Sequence, residues 1–513
     1  MYTNCTMLRN LFLSPLCLWL TAGFLNAGPV NIGGNWYEFS FGRAPSQVSA
    51  CTDCGASSGG NSQYADNPPY TFTAPTGGAI ITIEDAFLRG DRFSISIDGG
   101  PFLSTSVPLN DGASLCGDGT NPATCKLDST YSHGVFSVAP GAHSFTIDII
   151  QNASGTLEGA AYFRLDPLVR TWTALLPSGT APSARQGSSA VFRDIANDMV
   201  MFGGNTAGCS STTPSLNDTW LLSGANGIGA ATWTEEAPFG GPPPGRRGHS
   251  AVYNSNTDRM IIFGGDAFGC SSSKLNDLWV LRNATGAAQI PTWFLQSPTG
   301  PIPPSRSDHV AVYNGNTDQM ILFGGTGTSL NSLTDLWVLS NASGCTATPA
   351  WTQLSPAGTG PTTTSYMAGT YDPTTDALTL FAGFVCCAGP ASNQVWLLSN
   401  ASGSAGTPTW SNPTPSGMPP SARVGPVGSY SGNFNNDLFF GGSDTNSLWG
   451  LSDANGSGAM AWKPFLPTGT PPPARGGIAA TPAAFGDGST ARFVIFGGAG
   501  STGTLNDVWV LSE

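Results

Sequence analysis

Residues 246–293 read RRGHSAVYNSNTDRMIIFGGDAFGCSSSKLNDLWVLRNATGAAQIPTW. The stretch contains short apolar runs that are rich in β-branched and aromatic residues and are separated by Gly, Pro, Asn or Asp. Runs of this kind, bounded by turn-forming residues, predict four short β-strands. The stretch therefore predicts one small β-sheet, and its pattern recurs in six units along the C-terminal two thirds of the chain.

Two tryptophans mark each unit. The first opens the units at spacings of 61, 60, 58, 59 and 52 residues, and the second lies in the predicted third strand. The first set is Trp172, Trp233, Trp293, Trp351, Trp410 and Trp462; the second is Trp220, Trp279, Trp337, Trp396, Trp449 and Trp509. Aromatic side chains at a fixed phase indicate burial between packed sheets.

A pair of small residues closes the predicted second strand of each unit. Five units have Gly-Gly, as at Gly264-Gly265, and the fourth has Ala382-Gly383. Together with the tryptophans and the Leu275-Asn-Asp-Leu-Trp279 strand type, these pairs resemble the kelch repeat across residues 171–513. The resemblance implies a β-propeller whose blades have four strands each.

The phase of the repeats predicts how the array closes. The chain enters it on the Trp172 strand, a fourth strand, and leaves it on the Trp509 strand, a third strand. An open ring would leave an unpaired edge on the last blade. We therefore expect a six-bladed kelch-like propeller over residues 168–513, closed by the strand at residues 171–175.

Residues 28–167 carry none of the repeat's marks. Several segments alternate polar and apolar residues, for example 79–84, 92–98 and 143–150. A period of two with one buried face is typical of antiparallel sheets packed face to face. The fold class expected for the chain is all-β, with an N-terminal β-sandwich before the propeller.

Residues 1–27 have one charge, Arg9, then an apolar run closed by small residues near Ala27. This pattern is typical of a secretory signal peptide, so we expect a secreted protein, extracellular or periplasmic. No later segment has about 18 uninterrupted apolar residues, so the mature chain is not expected to span a membrane. The amino-acid sequences of the repeats also resemble those of exported bacterial kelch proteins.

The charge balance bears on which partners the chain can bind, and the cysteine content bears on which disulfides it can form. Without Arg9, 18 basic residues face 32 acidic ones, a balance that disfavours nucleic-acid binding. Nine of the 11 cysteines follow the predicted signal peptide, and an exported chain is expected to oxidise them. The disulfide candidates are Cys116 with Cys125, and Cys209 with Cys270, which occupy matching loops of neighbouring units.

One charge recurs at the start of the predicted first strand. The residues are Arg185, Arg246, Arg306, Arg423 and Arg475. They are candidate ligand-binding residues, because a ring of arginines at the channel mouth would attract a carboxylate or an acidic sugar. The alternative is a structural pair with the Asp two residues before each third-strand tryptophan. Those residues are Asp218, Asp277, Asp335 and Asp507.

The sequence indicates no catalytic residue, metal site or cofactor. Only four histidines are present, and His249 and His309 occupy equivalent positions of two units, as repeat residues do. The architecture resembles galactose oxidase, but the paired Tyr and His residues of its copper site are missing from the propeller, so activity does not transfer. The function expected is therefore non-catalytic binding of a protein or glycan by propeller loops. The alternative is a carbohydrate-directed enzyme, of oxidase or epimerase type, at the channel mouth.

Overall fold

The computed structural model describes residues 30–33, 36–50, 62–75, 78–85, 89–110, 130–138, 141–193, 197–207, 213–227, 229–268, 272–287, 289–385, 389–431, 436–443, 445–481 and 492–512. Within these residues the secondary structure consists of strands and turns, and no helix is present. The all-β prediction is confirmed. The described residues include no helix long and apolar enough to cross a membrane.

The first eleven strands precede the repeats. They are β1 (Trp36–Phe41), β2 (Ser46–Gln47), β3 (Ser49–Ala50), β4 (Ser62–Tyr64), β5 (Tyr70–Ala74), β6 (Ala79–Glu84), β7 (Arg92–Ile97), β8 (Leu103–Ser104), β9 (His133–Val138), β10 (Gly141–Gln151) and β11 (Gly159–Pro167). One sheet has the order β3-β1-β11-β6-β9 with β4 beside β1, and the other has β2-β10-β7-β8 with β5 beside β10. Both sheets contribute to one apolar core, in which Phe39 lies 5.5 Å from Phe93 between ring centroids.

The remaining strands form six four-stranded sheets and one two-stranded ladder in the described part of the chain. The strands are β12 (Thr171–Leu175), β13 (Ser189–Arg193), β14 (Asp198–Gly204), β15 (Leu216–Ser223), β16 (Thr232–Glu236), β17 (Ser250–Asn254), β18 (Arg259–Phe263), β19 (Leu278–Arg282), β20 (Thr292–Gln296), β21 (Arg306–Ser307), β22 (Val310–Asn314), β23 (Gln319–Phe323), β24 (Thr326–Gly327), β25 (Leu336–Ser340), β26 (Ala350–Leu354), β27 (Ala368–Asp372), β28 (Ala377–Phe381), β29 (Val395–Ser399), β30 (Thr409–Ser411), β31 (Val427–Ser431), β32 (Asn436–Phe440), β33 (Leu448–Ser452), β34 (Ala461–Phe465), β35 (Ala479–Thr481), β36 (Arg492–Gly500) and β37 (Gly503–Ser512).

We number the four-stranded sheets by their first strand. Sheet 1 is β13 to β16, sheet 2 is β17 to β20, sheet 3 is β22-β23-β25-β26, sheet 4 is β27 to β30, and sheet 5 is β31 to β34. Sheet 6 has the order β12-β37-β36-β35, because Thr171–Leu175 pairs antiparallel with the C-terminal strand β37. The last sheet is thus completed by the strand that precedes the first sheet in sequence.

The fourth-strand tryptophans join neighbouring sheets. Trp293 of sheet 2 lies 5.0 Å from Phe202 of sheet 1, and Trp351 of sheet 3 lies 5.1 Å from Phe263 of sheet 2. The same contact links Trp410 to Phe323, Trp462 to Phe381, Trp172 to Phe440, and Trp233 to Phe496. All six tryptophans are buried. The series passes through every sheet and returns to the first after six steps.

A second series of contacts follows the fourth strands. Each sheet's fourth strand leads into a Pro-x-Gly turn, and the middle residue of this turn pairs with the start of the next sheet's fourth strand, as Ser178 does with Thr232. The other five pairs are Phe239 with Thr292, Thr299 with Ala350, Ala357 with Thr409, Ser416 with Ala461, and Thr468 with Thr171. We call this closed series the outer belt. The last residue of each turn is glycine, which tolerates the positive φ that this position requires. At Gly469 the φ is +79°, and a Cβ there would meet the carbonyl of Trp172.

Candidate binding site at the centre of the repeat array

The five recurrent arginines lie inside their own sheets. Each side chain is at most 1% exposed. The guanidinium of Arg185 donates to both carboxylate oxygens of Asp218, at 2.6 and 2.7 Å, and also to the carbonyl of Gly203 and to Ser183. Arg246, Arg306 and Arg475 bind Asp277, Asp335 and Asp507 in the same two-pronged way. Bidentate pairs of this kind are strong and fix geometry.

The carboxylate of each pair is also held by the third-strand tryptophan. Trp279 donates its indole N–H to Asp277 at 2.7 Å, and Trp337 donates to Asp335 at 2.6 Å. Burial alone would raise the pKa of Asp277, but the hydrogen bonds and charge of Arg246 and the Trp279 bond outweigh it, so the pKa is lowered. The recurrent Asp and Trp therefore act as one structural unit with the Arg.

The fourth and fifth sheets depart from this pattern. Sheet 4 has Gln394 in place of the Asp and lacks the Arg, and sheet 5 keeps Arg423 but has Ser447 where sheets 1, 2, 3 and 6 have Asp. Arg423 donates instead to the carbonyl of Gly441 at 3.1 Å and to the hydroxyls of Ser447 and Ser421. Burial lowers the pKa of Arg423. The structure thus places all five arginines in contacts within the protein, and a ligand-binding role for the set stays a prediction.

A ring of backbone hydrogen bonds lies at the entry to the first strands. One residue of each sheet, always with positive φ, contributes to it: Gly187, Gly248, Asp308, Tyr366, Gly425 and Gly477. Five N–H to carbonyl bonds of 2.7–3.0 Å link the six members from Gly477 round to Gly425, and in each bond the donor is the member from the following sheet. We call this ring the collar. The collar thus joins the entries of all six first strands.

Charged side chains gather on one half of the collar. Arg247, 2% exposed, donates to the hydroxyl of Tyr366 at 3.1 Å and lies 3.8 Å from the carboxylate of Asp308. Behind it, Asp266 and Lys274 form a buried ion pair at 2.6 Å. The Tyr366 ring also lies 5.6 Å from the ring of Phe384, in the loop between the second and third strands of sheet 4.

The same loops of sheets 2, 3 and 4 expose apolar side chains. Phe268 is 43% exposed, Leu330 is 44% exposed and Val385 is 37% exposed. These loops pair with the entry to the first strands, as Asp266 does with Arg247 and Thr326 with Ser307. We call the loops and the collar together the loop face. It combines apolar, aromatic and charged groups.

A cavity of about 550 Å³ lies along the first strands. Its lining comes from all six sheets and includes Ser188, His249, His309, Met367, Pro426 and Ile478, each of which directly follows a collar residue. His249 is buried and His309 is partly buried, and the Nε2 atoms of the two rings are hydrogen-bonded to the hydroxyls of Ser189 and Ser250, at 2.7 and 2.9 Å. Burial lowers the pKa of both imidazoles, to about 3 for His309, so both rings are neutral at physiological pH.

Tyrosines lie at the other end of these strands. Tyr253, Tyr313, Tyr371 and Tyr430 occupy equivalent positions and line the cavity. The hydroxyls of the first three each donate to an Asp five residues later, at 2.8 Å. Asn254 and Asn314 donate to the tyrosine of the following sheet, at 2.7 and 3.1 Å. We call Tyr253, Tyr313, Tyr371 and Tyr430 together the tyrosine mouth.

The other candidates from the sequence have mixed outcomes. Cys116, Cys125, Cys209 and Cys270 lie outside the described residues, and Cys345, which is described, is exposed and free. Among the described residues, no group of three or more His, Cys, Asp or Glu could hold a metal ion. Sequence reasoning missed the collar and the outer belt, although Pro-x-Gly is visible in all six units.

The chain matches a family of known domains over most of its repeats. The family is described as the KLHDC2/KLHL20/DRC7 Kelch-repeats domain, and the matches cover residues 152–292 and 289–481. The chain belongs to this kelch-repeat family. Its repeats form a kelch β-propeller, as the sequence resemblance implied.

Several kelch-repeat proteins are similar over shorter stretches. Host cell factor 1 of Rattus norvegicus is 33% identical over 156 residues, 29% of this chain and 7% of that protein. F-box/kelch-repeat protein At1g51550 of Arabidopsis thaliana is 29% identical over 33% of each chain. Dynein regulatory complex subunit 7 of Chlamydomonas reinhardtii is 29% identical over 26% of this chain and 10% of that protein. The chain therefore spans at most a third of these relatives.

A solved structure entitled "Structure of YjhT" overlaps 64% of this chain and 95% of its own, with a TM-score of 0.45 and 14% sequence identity.

Proposed function

We propose that this chain is an exported, non-catalytic binding protein that recognises a protein partner through the loop face of its kelch propeller. In this proposal a β-sandwich at residues 28–167 precedes six blades at residues 168–513. The array closes through the strand at residues 171–175. Sheets 1 to 6 are the blades, and the outer belt is the closing contact.

Three closed series of contacts support the six-blade arrangement. The tryptophan–phenylalanine contacts and the outer belt each return to their start after six steps. In addition, the second residue of each small pair donates to the next sheet's entry carbonyl, from Gly204 to Arg246 through to Gly498 to Arg185. The two sheets that share one core support the sandwich.

The loop face carries the binding proposal. It places the exposed Phe268 and Leu330 on the same face as Arg247, which contacts the collar residues Asp308 and Tyr366. Protein interfaces favour aromatic residues and arginine at their centre and a polar rim. Repeat proteins commonly use such surfaces for partners, and one relative is by name a subunit of the dynein regulatory complex. A protein ligand suits this mixture better than a glycan does, because three of its residues are exposed and apolar.

The test is affinity capture with crosslinking in the organism that makes the protein. The wild-type chain is compared with the double variant Phe268→Ser, Leu330→Ser, and with Leu157→Ser as the control, since Leu157 is 62% exposed in the N-terminal module. We expect one protein to be captured by the wild type and the control and reduced about tenfold or more in the double variant. Equal capture by all three chains would refute the loop face as the binding surface.

Export has its own test. Fractionation followed by N-terminal sequencing is expected to find a mature chain that begins at Gly28 outside the cytoplasm. Recovery of the chain with Met1 in the cytoplasm would overturn this part of the proposal and leave the loop-face test unaffected.

A further inference from the structure

The cavity along the first strands borders the collar at one end. Its residues Ser188, His249 and His309 follow collar residues directly, whereas Tyr253 and Tyr313 lie four residues further along the same strands as the histidines. At about 3.3 Å per residue, the histidine and tyrosine levels are about 13 Å apart. A ligand larger than the collar therefore reaches the cavity through the tyrosine mouth, on the side away from the loop face.

Small residues line the middle of the cavity. Ala251, Ala311, Gly369 and Gly428 line it between the histidine and tyrosine levels. The volume of about 550 Å³ lies within the range of small-molecule sites. A cavity of this size beside the collar can hold a small molecule or the end of a longer ligand, but not a folded protein domain.

No Asp, Glu, Lys or Arg is among the described residues that line this cavity. The imidazoles of His249 and His309 are neutral, as shown above. Next to the tyrosine mouth, the carboxylates of Asp258, Asp318 and Asp376 accept hydrogen bonds from the tyrosine hydroxyls. An ionic ligand would lose hydration here without meeting a counter-charge, and an anion would also meet these carboxylates.

The lining alternates hydroxyl groups with apolar and aromatic surfaces. Ser189 and Ser250 stand beside Val191 and Val252, and the tyrosine rings surround the mouth. At the collar end, Ser188 Oγ, His249 Nδ1 and His309 Nδ1 are buried without a hydrogen-bond partner. Buried polar atoms are normally paired, so these three atoms indicate an unfilled hydrogen-bonding role. A pyranose ring presents apolar C–H faces and polar edges, which matches this mixture.

We propose that this cavity binds the neutral terminal sugar of a saccharide, which enters through the tyrosine mouth and stacks on its rings. The sugar hydroxyls reach toward Ser188 and the two histidines. This site is separate from the loop face and goes beyond the proposed function.

The probes are three neutral disaccharides, cellobiose, maltose and N,N′-diacetylchitobiose, with 3′-sialyllactose as the anionic comparator. Binding is measured by saturation-transfer NMR and by isothermal titration on the mature full-length chain. At least one neutral probe is expected to bind with a Kd of about 1 mM or tighter, and the anionic probe about tenfold more weakly or not at all.

Two variants and a matched control locate the binding. Ala311→Trp fills the middle of the cavity and is expected to weaken binding about tenfold or more. Leu295→Trp adds the same side chain at an exposed position of β20 and is expected to leave Kd within about twofold. Should Ala311→Trp fail to fold, Tyr313→Leu, which removes one aromatic ring, is expected to weaken binding by about fivefold or more.

Three results would overturn the proposal. The first is no binding of any neutral probe at about 10 mM. The second is equal affinity for the anionic probe. The third is unchanged affinity in a folded Ala311→Trp chain, or in Tyr313→Leu where it replaces that variant. None of these results bears on protein capture by the loop face, so the two proposals fail independently.

Discussion

Asp437 on β32 accepts a hydrogen bond of 2.6 Å from the hydroxyl of Thr370 on β27, inside the packing between sheets 4 and 5. Both residues are buried. The equivalent pairs between the preceding sheets are apolar: Val191 with Met260, Val252 with Met320, and Val312 with Leu378. A carboxyl group has therefore replaced a core methionine or leucine, together with a matching change from valine to threonine.

This carboxyl group makes stability depend on pH. Burial raises the pKa of Asp437 to about 8, whereas the unfolded value is near 3.8. The folded state holds the proton more tightly, so its stabilising effect is complete below about pH 4 and is lost as pH rises toward 8. The loss is at most about 6 kcal/mol. Urea unfolding from pH 4 to 9 is expected to show this decline in the wild type and not in Asp437→Asn. An unchanged slope in the variant would contradict it.

His309 is expected to act in the opposite direction. Burial and the nearby Arg306 lower its pKa from 6.5 to about 3. The unfolded state then binds the proton more tightly, so stability present above about pH 6.5 is lost as pH falls toward 3. His309→Met, which copies Met367 of the next sheet, is expected to reduce this acid-side loss, which is at most about 5 kcal/mol. Thermal unfolding of both chains from pH 3 to 7 measures it, with the Asp437→Asn background separating the two effects.

The sequence predicted the repeats because each unit repeats the same burial pattern. Two tryptophans and a pair of small residues per unit establish strand order and phase, and the phase led to the expectation that residues 171–175 pair with the last strand. The family match confirms kelch repeats, and the pairing of Thr171–Leu175 with β37 is present in the structure.

The site was less predictable for a physical reason. A recurrent arginine leaves the same pattern in the sequence whether it binds a ligand or pairs with an aspartate about 30 residues later. Only the three-dimensional structure distinguishes these two roles. The collar is harder still, since four of its members are single glycines and the other two, Asp308 and Tyr366, have no residue type in common. The cavity depends on small residues such as Ala311, whose role is the space that they leave.

Substitution within one arginine unit should separate the charge pair from the backbone contacts. Arg246 binds Asp277 and also the carbonyls of Pro244 and Gly264. Arg246→Ala leaves a half-buried carboxylate and two carbonyls without their donor, and is expected to cost about 3 kcal/mol or more. Asp277→Ser copies the natural Ser447 of sheet 5 and is expected to cost less, because hydroxyls satisfy Arg423 there. Urea unfolding at pH 7 gives both values, and the reverse order would show that the carboxylate carries the stabilisation.

The outer belt can be tested at its closing step with one methyl group. Gly469 has φ +79°, and a Cβ there would press on the carbonyl of Trp172, the residue that completes sheet 6. Gly229 is a matched control, because its φ of +82° imposes the same backbone strain while nothing lies within 4 Å of its Cβ position. Gly229→Ala is expected to lower the free energy of unfolding by about 1 kcal/mol, and Gly469→Ala by a further 1–3 kcal/mol or so, since the carbonyl must move and its bonds to the closing strand weaken. Equal losses in urea unfolding would mean that the step from Thr468 to Thr171 adapts freely, and that the closing strand is held by its pairing with β37 alone.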